Sequence, residues 1–216
     1  MLLADRRDAG QQLAAKLLRF KDQRPVILAL PRGGVPVGFE IAARLDAPLD
    51  VVLVRKIGHP RSRELAVGAI AEGETLETFI DESAVAELGV PQRYLEAEIA
   101  RQTREIAHRR LLYFKGRRPV DIRQRTALVV DDGIATGATM RAALRAVRRR
   151  APARLVLAVP VAPASTLDAL RPEVDEIVCL SAPDDFGAVG FFYDDFQPVD
   201  DTVVIDLLER AAAATA

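Results

Sequence analysis

The chain has 216 residues, half of them apolar and 28% charged, so it is long enough to bury one sizeable core. Thirty basic against 31 acidic residues leave a net charge of −1, which disfavours a general nucleic-acid-binding protein. A single cysteine, Cys179, excludes a disulfide framework, and no run approaches the ~20 apolar residues of a membrane span. We therefore expect one soluble, cytoplasmic domain over residues 1–216, with no membrane partner.

The first third of the chain predicts two strand–turn units. An amphipathic helix over residues 5–20, with one side formed by Leu13, Leu17, Leu18 and Phe20, precedes a buried strand at 26–30. That strand runs into Pro31-Arg32-Gly33-Gly34, where glycine lets backbone N–H groups approach a ligand and Arg32 can bind phosphate oxygens. Taken alone, this turn is more simply interpreted as an ordinary strand–helix connection.

A second strand at 51–54 ends in the basic pair Arg55-Lys56, and a polar, basic segment follows at 57–64. That segment carries His59, Arg61 and Arg63, and Leu65 is the first apolar residue able to re-anchor the chain. We expect it to be mobile, because little apolar surface is available to offset the cost of ordering it. Residues 66–71 and 76–80 are typical of an antiparallel pair of strands.

A helical insert is predicted over residues 83–118. Two helices are expected, divided before Pro91, which suits the first position of a helix. The long second helix has an apolar stripe of Leu95, Ile99, Ile106 and Tyr113. This stripe packs either on the sheet or on a second subunit, and it motivates the prediction of a homodimer. The arginines of the same helix are interpreted as a solvated face; they are Arg101, Arg104, Arg109 and Arg110.

The most informative stretch is residues 127–139. Four apolar residues predict a buried parallel strand, and Asp131 and Asp132 follow at its carboxyl end, where α/β sheets bind ligands. We expect both carboxylates to face solvent. Gly137 then precedes a helix over 138–150, whose first N–H groups, with the hydroxyls of Thr136 and Thr139, form an anion-binding turn. The alternative is a capping Asp and a turn glycine with no ligand.

The remaining elements predict a strand at 155–159, a helix at 163–170, a strand at 176–180 and a closing helix at 201–212. Between the last two lies an irregular, acidic segment rich in aromatic residues, which we call the C-terminal hood (residues 181–199). Alternating strands and helices imply right-handed crossovers. The fold class predicted is α/β, with a mainly parallel twisted sheet flanked by helices.

The string 127–139 resembles the loop of the type I phosphoribosyltransferases that binds phosphoribosyl pyrophosphate (PRPP), and the layout is similar to stand-alone bacterial members of that family. In them, two acidic residues follow the strand and a Thr-Gly phosphate turn comes next. Gly133 departs from the aliphatic residue usual at its position. The Pro-Arg-Gly-Gly turn, the Arg-Lys pair and residues 57–80 resemble the family's first loop, its pyrophosphate-binding pair and its flexible loop.

The resemblance implies a role for each matched residue. Asp131 and Asp132 would be catalytic and hold the ribose hydroxyls, directly or through water on a Mg²⁺ ion carried with PRPP; no metal site of the protein's own is implied. The 5′-phosphate would be held by Ala135, Thr136, Gly137, Ala138 and Thr139. The pyrophosphate would face Arg32, Gly33, Arg55 and Lys56. The flexible loop with His59, Arg61 and Arg63 would close over the site, and Phe191 and Tyr193 of the hood would line the acceptor pocket.

The implied activity is the transfer of ribose 5-phosphate from PRPP to a nitrogen nucleophile, with release of pyrophosphate. Hypoxanthine–guanine relatives have an aspartate where this chain has Ala135, which disfavours a 6-oxopurine acceptor and leaves the acceptor unnamed. Two alternatives stay open. One is a regulator that senses PRPP or a nucleotide and uses the basic helix on nucleic acid, and the other is a structural module with a relic site.

Overall fold

The computed structural model describes residues 2–72 and 76–214, and of residues 63 and 64 the backbone only. Its strands are Val26–Ala29 (β1), Leu49–Val51 (β2), Val54–His59 (β3), Ser62–Glu72 (β4), Leu76–Ile80 (β5), Thr126–Val130 (β6), Arg154–Val161 (β7) and Glu176–Ser181 (β8). Its helices are Arg6–Leu17 (α1), Gly34–Leu45 (α2), Glu82–Glu87 (α3), Gln92–Phe114 (α4), Ala138–Arg149 (α5), Ala164–Leu170 (α6) and Asp201–Ala214 (α7). In the described ranges, no helix combines the length and the apolar character needed to cross a bilayer.

A five-stranded sheet with the order β2-β1-β6-β7-β8 forms the centre of the molecule, and every pairing in it is parallel. The predicted α/β fold class is therefore confirmed. In the register of β1 and β6, Ala29 lies opposite Val130, so the two strands end side by side. The loops that follow them consequently meet at the carboxyl edge of the sheet.

The two faces of the sheet bury separate apolar layers, because side chains alternate along each strand. Ile27 and Leu128 point into a core shared with α1, α2 and α7. Leu28 and Val129 point into the opposite core, which α5 and α6 cover. Both faces are thus closed by helices, which explains the unbroken apolar runs of the strands.

A second sheet, antiparallel and with the order β3-β4-β5, packs on α5. The contact is made by small side chains, Ala69 and Ala71 of β4 against Ala142 and Ala146 of α5. Since alanine allows close approach, α5 lies between the two sheets. The phosphate turn predicted before α5 therefore faces the strands of the small sheet.

The prediction of one continuous strand over residues 51–54 is wrong. Its residues are divided between the two sheets, with β2 ending at Val51 and β3 beginning at Val54. Val52 and Leu53 cross between them and stay buried, and the Val52 N–H donates to the Ala29 carbonyl at 3.0 Å. An apolar run cannot show this break, since the crossing residues are as buried as the strands.

Two helix boundaries also differ from the predictions. The first helix ends at Leu17 and continues as a 3₁₀ turn, which rotates Leu18 outward so that it is 40% exposed instead of lying on the apolar side. Pro91 is not the first residue of α4 but its N-cap, in an extended conformation. Proline suits this place as well, because an N-cap residue has a non-helical backbone.

The apolar stripe on α4 is covered by the same chain. Leu95, Ile106 and Tyr113 are buried in the core shared with α7 and the small sheet, with Ile99 packed against it. The stripe therefore gives no reason to expect a homodimer, which stays an untested prediction. Ion pairs within the chain engage the arginines of the helix, as in Arg101 with Glu98, Arg109 with Glu105 and Arg110 with Glu72.

Candidate active site

The turn after β1 and the loop after β6 touch each other at the carboxyl edge of the main sheet. The Leu30 N–H donates to the Val130 carbonyl at 2.9 Å, which extends the strand pairing into the two loops. A Cβ atom built on Gly33 would lie 1.9 Å from Asp132 Oδ2, so only glycine fits there. Gly33 and Asp132, predicted from separate motifs, thus form one surface. Arg32 is exposed in the same turn.

Asp131 is held against the protein. Its Oδ1 accepts a hydrogen bond from the Asp132 N–H at 2.9 Å. Burial is the main cause that raises the pKa of the Asp131 carboxyl well above its usual range, and the neighbouring charge of Asp132 adds to it. The guanidinium of Arg6 acts on that pKa in the opposite direction. Asp131 is only partly exposed, so it faces solvent less than the sequence predicts.

Asp132 is paired with a residue from the other end of the chain. Arg6 Nε donates to Asp132 Oδ2 at 2.7 Å, and the two side chains are only 12% and 14% exposed. The Tyr193 hydroxyl donates to the Asp132 carbonyl at 2.6 Å. Asp132 is consequently enclosed too, between α1, the hood and the turn at Gly33.

The predicted phosphate turn has the geometry of an anion site. Gly137 adopts a left-handed conformation with φ 79°, and α5 begins at the next residue. Ala135, Thr136 and Ala138 are exposed, Thr139 is partly exposed, and the first N–H groups of an α-helix have no acceptor within the helix. From α6, the Thr166 hydroxyl donates to the Ala135 carbonyl at 2.8 Å, which fixes the turn from behind.

A pocket of about 300 Å³ connects this turn to the basic pair. Thr139 lines one side and Arg55, Lys56 and Arg101 line the rest, with Val54, Gly58 and Glu98. Arg55 Nε donates to Gln102 Oε1 at 3.0 Å, and Gln102 in turn donates to Glu98 Oε1 at 2.8 Å. Burial, followed by the charge of Arg109, lowers the pKa of Arg55. Arginine nonetheless remains charged in proteins, so the pocket offers fixed positive charge.

Comparison with known proteins identifies the family of the chain. A family model described as the phosphoribosyl transferase domain matches residues 3–197. The chain belongs to the phosphoribosyl transferase domain family. It is 43% identical to the protein TT1426 of Thermus thermophilus, whose crystal structure superposes with a TM-score of 0.82 over 97% of this chain and 99% of that one.

Among curated proteins, the chain is 41% identical over 210 residues to one from Mycobacterium tuberculosis named "Putative phosphoribosyl transferase". The match covers 97% of this chain and 47% of the relative, so the chain spans about half the length of the curated relatives it matches. The recognition of a phosphoribosyltransferase from the 127–139 string is confirmed.

The segment predicted as the flexible loop is partly anchored. Strand pairing continues to His59 and Ser62, Ile57 is fully buried, and the Tyr94 hydroxyl donates to the Gly58 carbonyl at 2.8 Å. The expected absence of apolar anchors is thus wrong for its first residues. Leu65 is not the residue that re-anchors the chain either, since it is 44% exposed whereas Val67 is buried.

Among the described side chains of that segment, those at residues 60, 61 and 62 are exposed. The Arg61 N–H donates to His59 Nδ1 at 3.2 Å, which gives His59 a local structural partner. The Arg63 side chain lies outside the described part of the structure. Closure of this segment over the site stays a prediction.

The two hood residues predicted to line the acceptor pocket differ in their placement. Phe191 is 77% exposed, whereas Tyr193 is 6% exposed, and its hydroxyl is engaged by the loop after β6. Burial raises the pKa of Tyr193, so the hydroxyl stays protonated and remains a donor. Tyr193 thus supports Asp132 from behind, and Phe191 presents its ring to solvent.

Sequence reasoning missed the residues that support the site from distant elements. Arg6 and Thr166 have no signal in the sequence, since each is an ordinary polar residue in the first turn of a helix. Glu98 and Gln102, in contrast, do have a signal in the sequence. Both fall on the apolar face of α4 and are buried there, and a buried polar residue requires a specific hydrogen-bonding partner.

Proposed function

We propose that the chain transfers ribose 5-phosphate from PRPP to a nitrogen nucleophile and releases pyrophosphate. The observation that carries this proposal is the single loop after β6. It presents two carboxylates and an anion-binding helix start, and the basic pocket lined by Arg55 and Lys56 adjoins it. PRPP has a phosphate, a sugar diol and a second anionic group. These match the helix start, the two carboxylates and the basic pocket in turn.

Each part of PRPP has a complementary group on the protein. The 5′-phosphate binds the N–H groups of residues 135–139, as anions do at helix N-termini. The ribose hydroxyls bind Asp131 and Asp132, which accept hydrogen bonds when ionised. The pyrophosphate binds Arg32, the backbone at Gly33, and the pair Arg55 and Lys56. Departure of pyrophosphate leaves positive charge on the ribose ring, which the two carboxyl groups stabilise when they are ionised.

A magnesium ion fits this arrangement as part of the substrate. The described residues contain no cluster of three or more metal-ligating side chains, and the loop after β6 contributes two carboxylates, Asp131 and Asp132. Mg²⁺ typically uses one or two carboxylates together with water and substrate phosphates. When bound, it neutralises charge on the leaving group. We therefore propose that Mg²⁺ arrives with PRPP and is held near these two residues.

The acceptor is a planar base or an amine whose identity the site restricts only in part. Ala135 provides no carboxylate for moving a base proton, which disfavours 6-oxopurines. Phe191 has an exposed ring on which a planar base can stack. We propose that Phe191 and the ring of Tyr193 form the acceptor side of the site.

Release of pyrophosphate from PRPP, measured with a panel of bases and amines, tests the proposal. We expect turnover with at least one acceptor, and none with Asp131→Asn/Asp132→Asn protein that still unfolds cooperatively. PRPP binding without release across the whole panel would favour the regulatory alternative. Equal turnover by the double variant would refute the assignment of the two carboxylates.

A further inference from the structure

Arg6 contacts a carboxylate of the site although it lies far from it in the sequence. Its Nε atom lies 2.7 Å from Asp132 Oδ2, although the two residues are 126 positions apart in the chain. With 12% and 14% of their side chains exposed, both charges are largely shielded from solvent. Screening by salt is weak for such a pair, so it differs from an ordinary surface ion pair.

The guanidinium is fixed on three sides. Its Nη1 atom donates to the Gln197 carbonyl at 2.8 Å, and its Cζ atom lies 3.9 Å from the centre of the Phe196 ring. The chain around it is fixed as well, because the Leu3 N–H donates to the Phe192 carbonyl and Asp5 caps α1. Arg6 is therefore held by the hood independently of its contact with Asp132.

The contact uses one particular carboxylate oxygen. Oδ2 receives Arg6 Nε and is also the oxygen closest to Gly33, since a Cβ atom there would lie 1.9 Å away. Oδ2 is thus enclosed on both sides. A carboxylate has two oxygens and about four acceptor positions, and Oδ1 is the one to which Arg6 Nε does not donate.

We propose that Arg6 is a positioning residue for Asp132. By binding Oδ2, it fixes the rotation of the carboxylate and directs Oδ1 at a ribose hydroxyl. It also places a positive charge next to a carboxyl that lies beside Asp131. This inference rests on the proposed function, because it assigns Asp132 to the ribose. The hood then does more than cover the acceptor, since it holds the arginine that orients a ribose-binding residue.

A different role for the same contact would be a latch, in which Arg6 competes with the ribose and must leave. The geometry favours positioning, because Arg6 occupies the enclosed oxygen and not the remaining one. The two roles predict opposite effects of removing the guanidinium. Affinity for the sugar falls if Arg6 positions Asp132, and it rises if Arg6 is a latch.

The test compares two ligands by calorimetry. Ribose 5-phosphate reaches both the phosphate turn and the carboxylates, whereas inorganic phosphate reaches the turn alone. We expect Arg6→Gln to weaken ribose 5-phosphate about tenfold, as for the loss of a charged hydrogen bond, and to leave the affinity for phosphate unchanged. Arg6→Lys should restore part of the loss. Arg7→Gln is the matched control, because Arg7 is the next residue, is 74% exposed and pairs with Glu40 instead.

Two further measurements separate the outcomes. In an Asp132→Asn background, Arg6→Gln should cause no additional loss, since Arg6 acts through Asp132. Equal or tighter binding of ribose 5-phosphate by Arg6→Gln would overturn the inference while leaving the proposed function intact. Parallel loss of both ligands, or an undiminished loss in the Asp132→Asn background, would show a merely structural role and also overturn it. Wild-type protein that binds neither ligand would contradict the proposed function itself.

Discussion

At the scale of single residues, Asp131, which we propose as a catalytic residue, has a cost to stability. Its raised pKa means that the folded protein favours the protonated carboxyl. The contribution of this residue to the free energy of unfolding is therefore greatest below the pKa of the unfolded chain, and it declines as pH rises through the higher folded pKa. The carboxyl that we propose for ribose binding is therefore unfavourable for folding as pH rises.

We expect Asp131→Asn to become more stable relative to the wild type as pH increases, because asparagine has no proton to lose. Denaturant unfolding of both proteins at a series of pH values from about 4 to 8 measures the difference. Asp184→Asn, at an exposed position of the hood, is the control and should show no such trend. A constant difference between wild type and Asp131→Asn would mean that Asp131 titrates as an ordinary carboxyl.

Asp132 stabilises the folded protein, in contrast to Asp131. At a strand end that faces solvent, as the sequence predicts here, removing the charge would cost little stability. Its pairing with Arg6 at 2.7 Å changes this expectation. Asp132→Asn leaves a shielded guanidinium without its counter-charge, and we expect a loss of about 2 kcal/mol in the free energy of unfolding. Exposed Asp185→Asn should change it by less than about 0.5 kcal/mol. Equal effects of the two variants would contradict the pairing.

At the scale of elements, the insert helix α4 supports the basic side of the pocket. Gln102 connects Arg55 to Glu98, so the position of the Arg55 guanidinium depends on a residue of the insert. Gln102→Leu removes the acceptor of Arg55 Nε. We expect magnesium pyrophosphate to bind about threefold to tenfold more weakly, as for the loss of one hydrogen bond.

Calorimetry with magnesium pyrophosphate measures this effect. Gln92→Leu is the control, because Gln92 lies at the exposed start of the same helix and bonds only locally to Glu96. Identical affinities of the Gln102→Leu and wild-type proteins would show that Arg55 is positioned without the insert, or that it does not face pyrophosphate.

The hairpin β3–β4 is the element expected to move. Its base is fixed by Ile57 and by the bond from Tyr94 to Gly58, whereas its turn is exposed. We therefore expect amide hydrogen exchange that is slow at Ile57 in every state, and fast at Arg61 until magnesium–PRPP is added. Arg61→Gln should slow transfer more than it weakens PRPP binding, because closure excludes water from the reacting ribose. Protection of Arg61 without ligand would indicate a rigid hairpin.

At the scale of the whole molecule, the sequence predicted the features that depend on local sequence patterns. Apolar runs and turn residues located the strands and helices of the main sheet, and the 127–139 string identified the family. Local patterns did not predict the features that depend on residues far apart in the chain. Nothing near Arg6 or Asp132 in sequence indicates their contact, and Val52 and Leu53 have the composition of a strand although they connect two sheets.

The contact between Gly33 and Asp132 has a consequence for how this protein can vary. Because a methyl group at position 33 would overlap Asp132 Oδ2, Gly33→Ala is excluded as long as an aspartate of this rotamer stands at position 132. The same substitution should be tolerated better once the side chain at 132 is shortened to serine. The two positions are therefore an epistatic pair, and a library that randomises both should recover substitutions at 33 only together with smaller residues at 132.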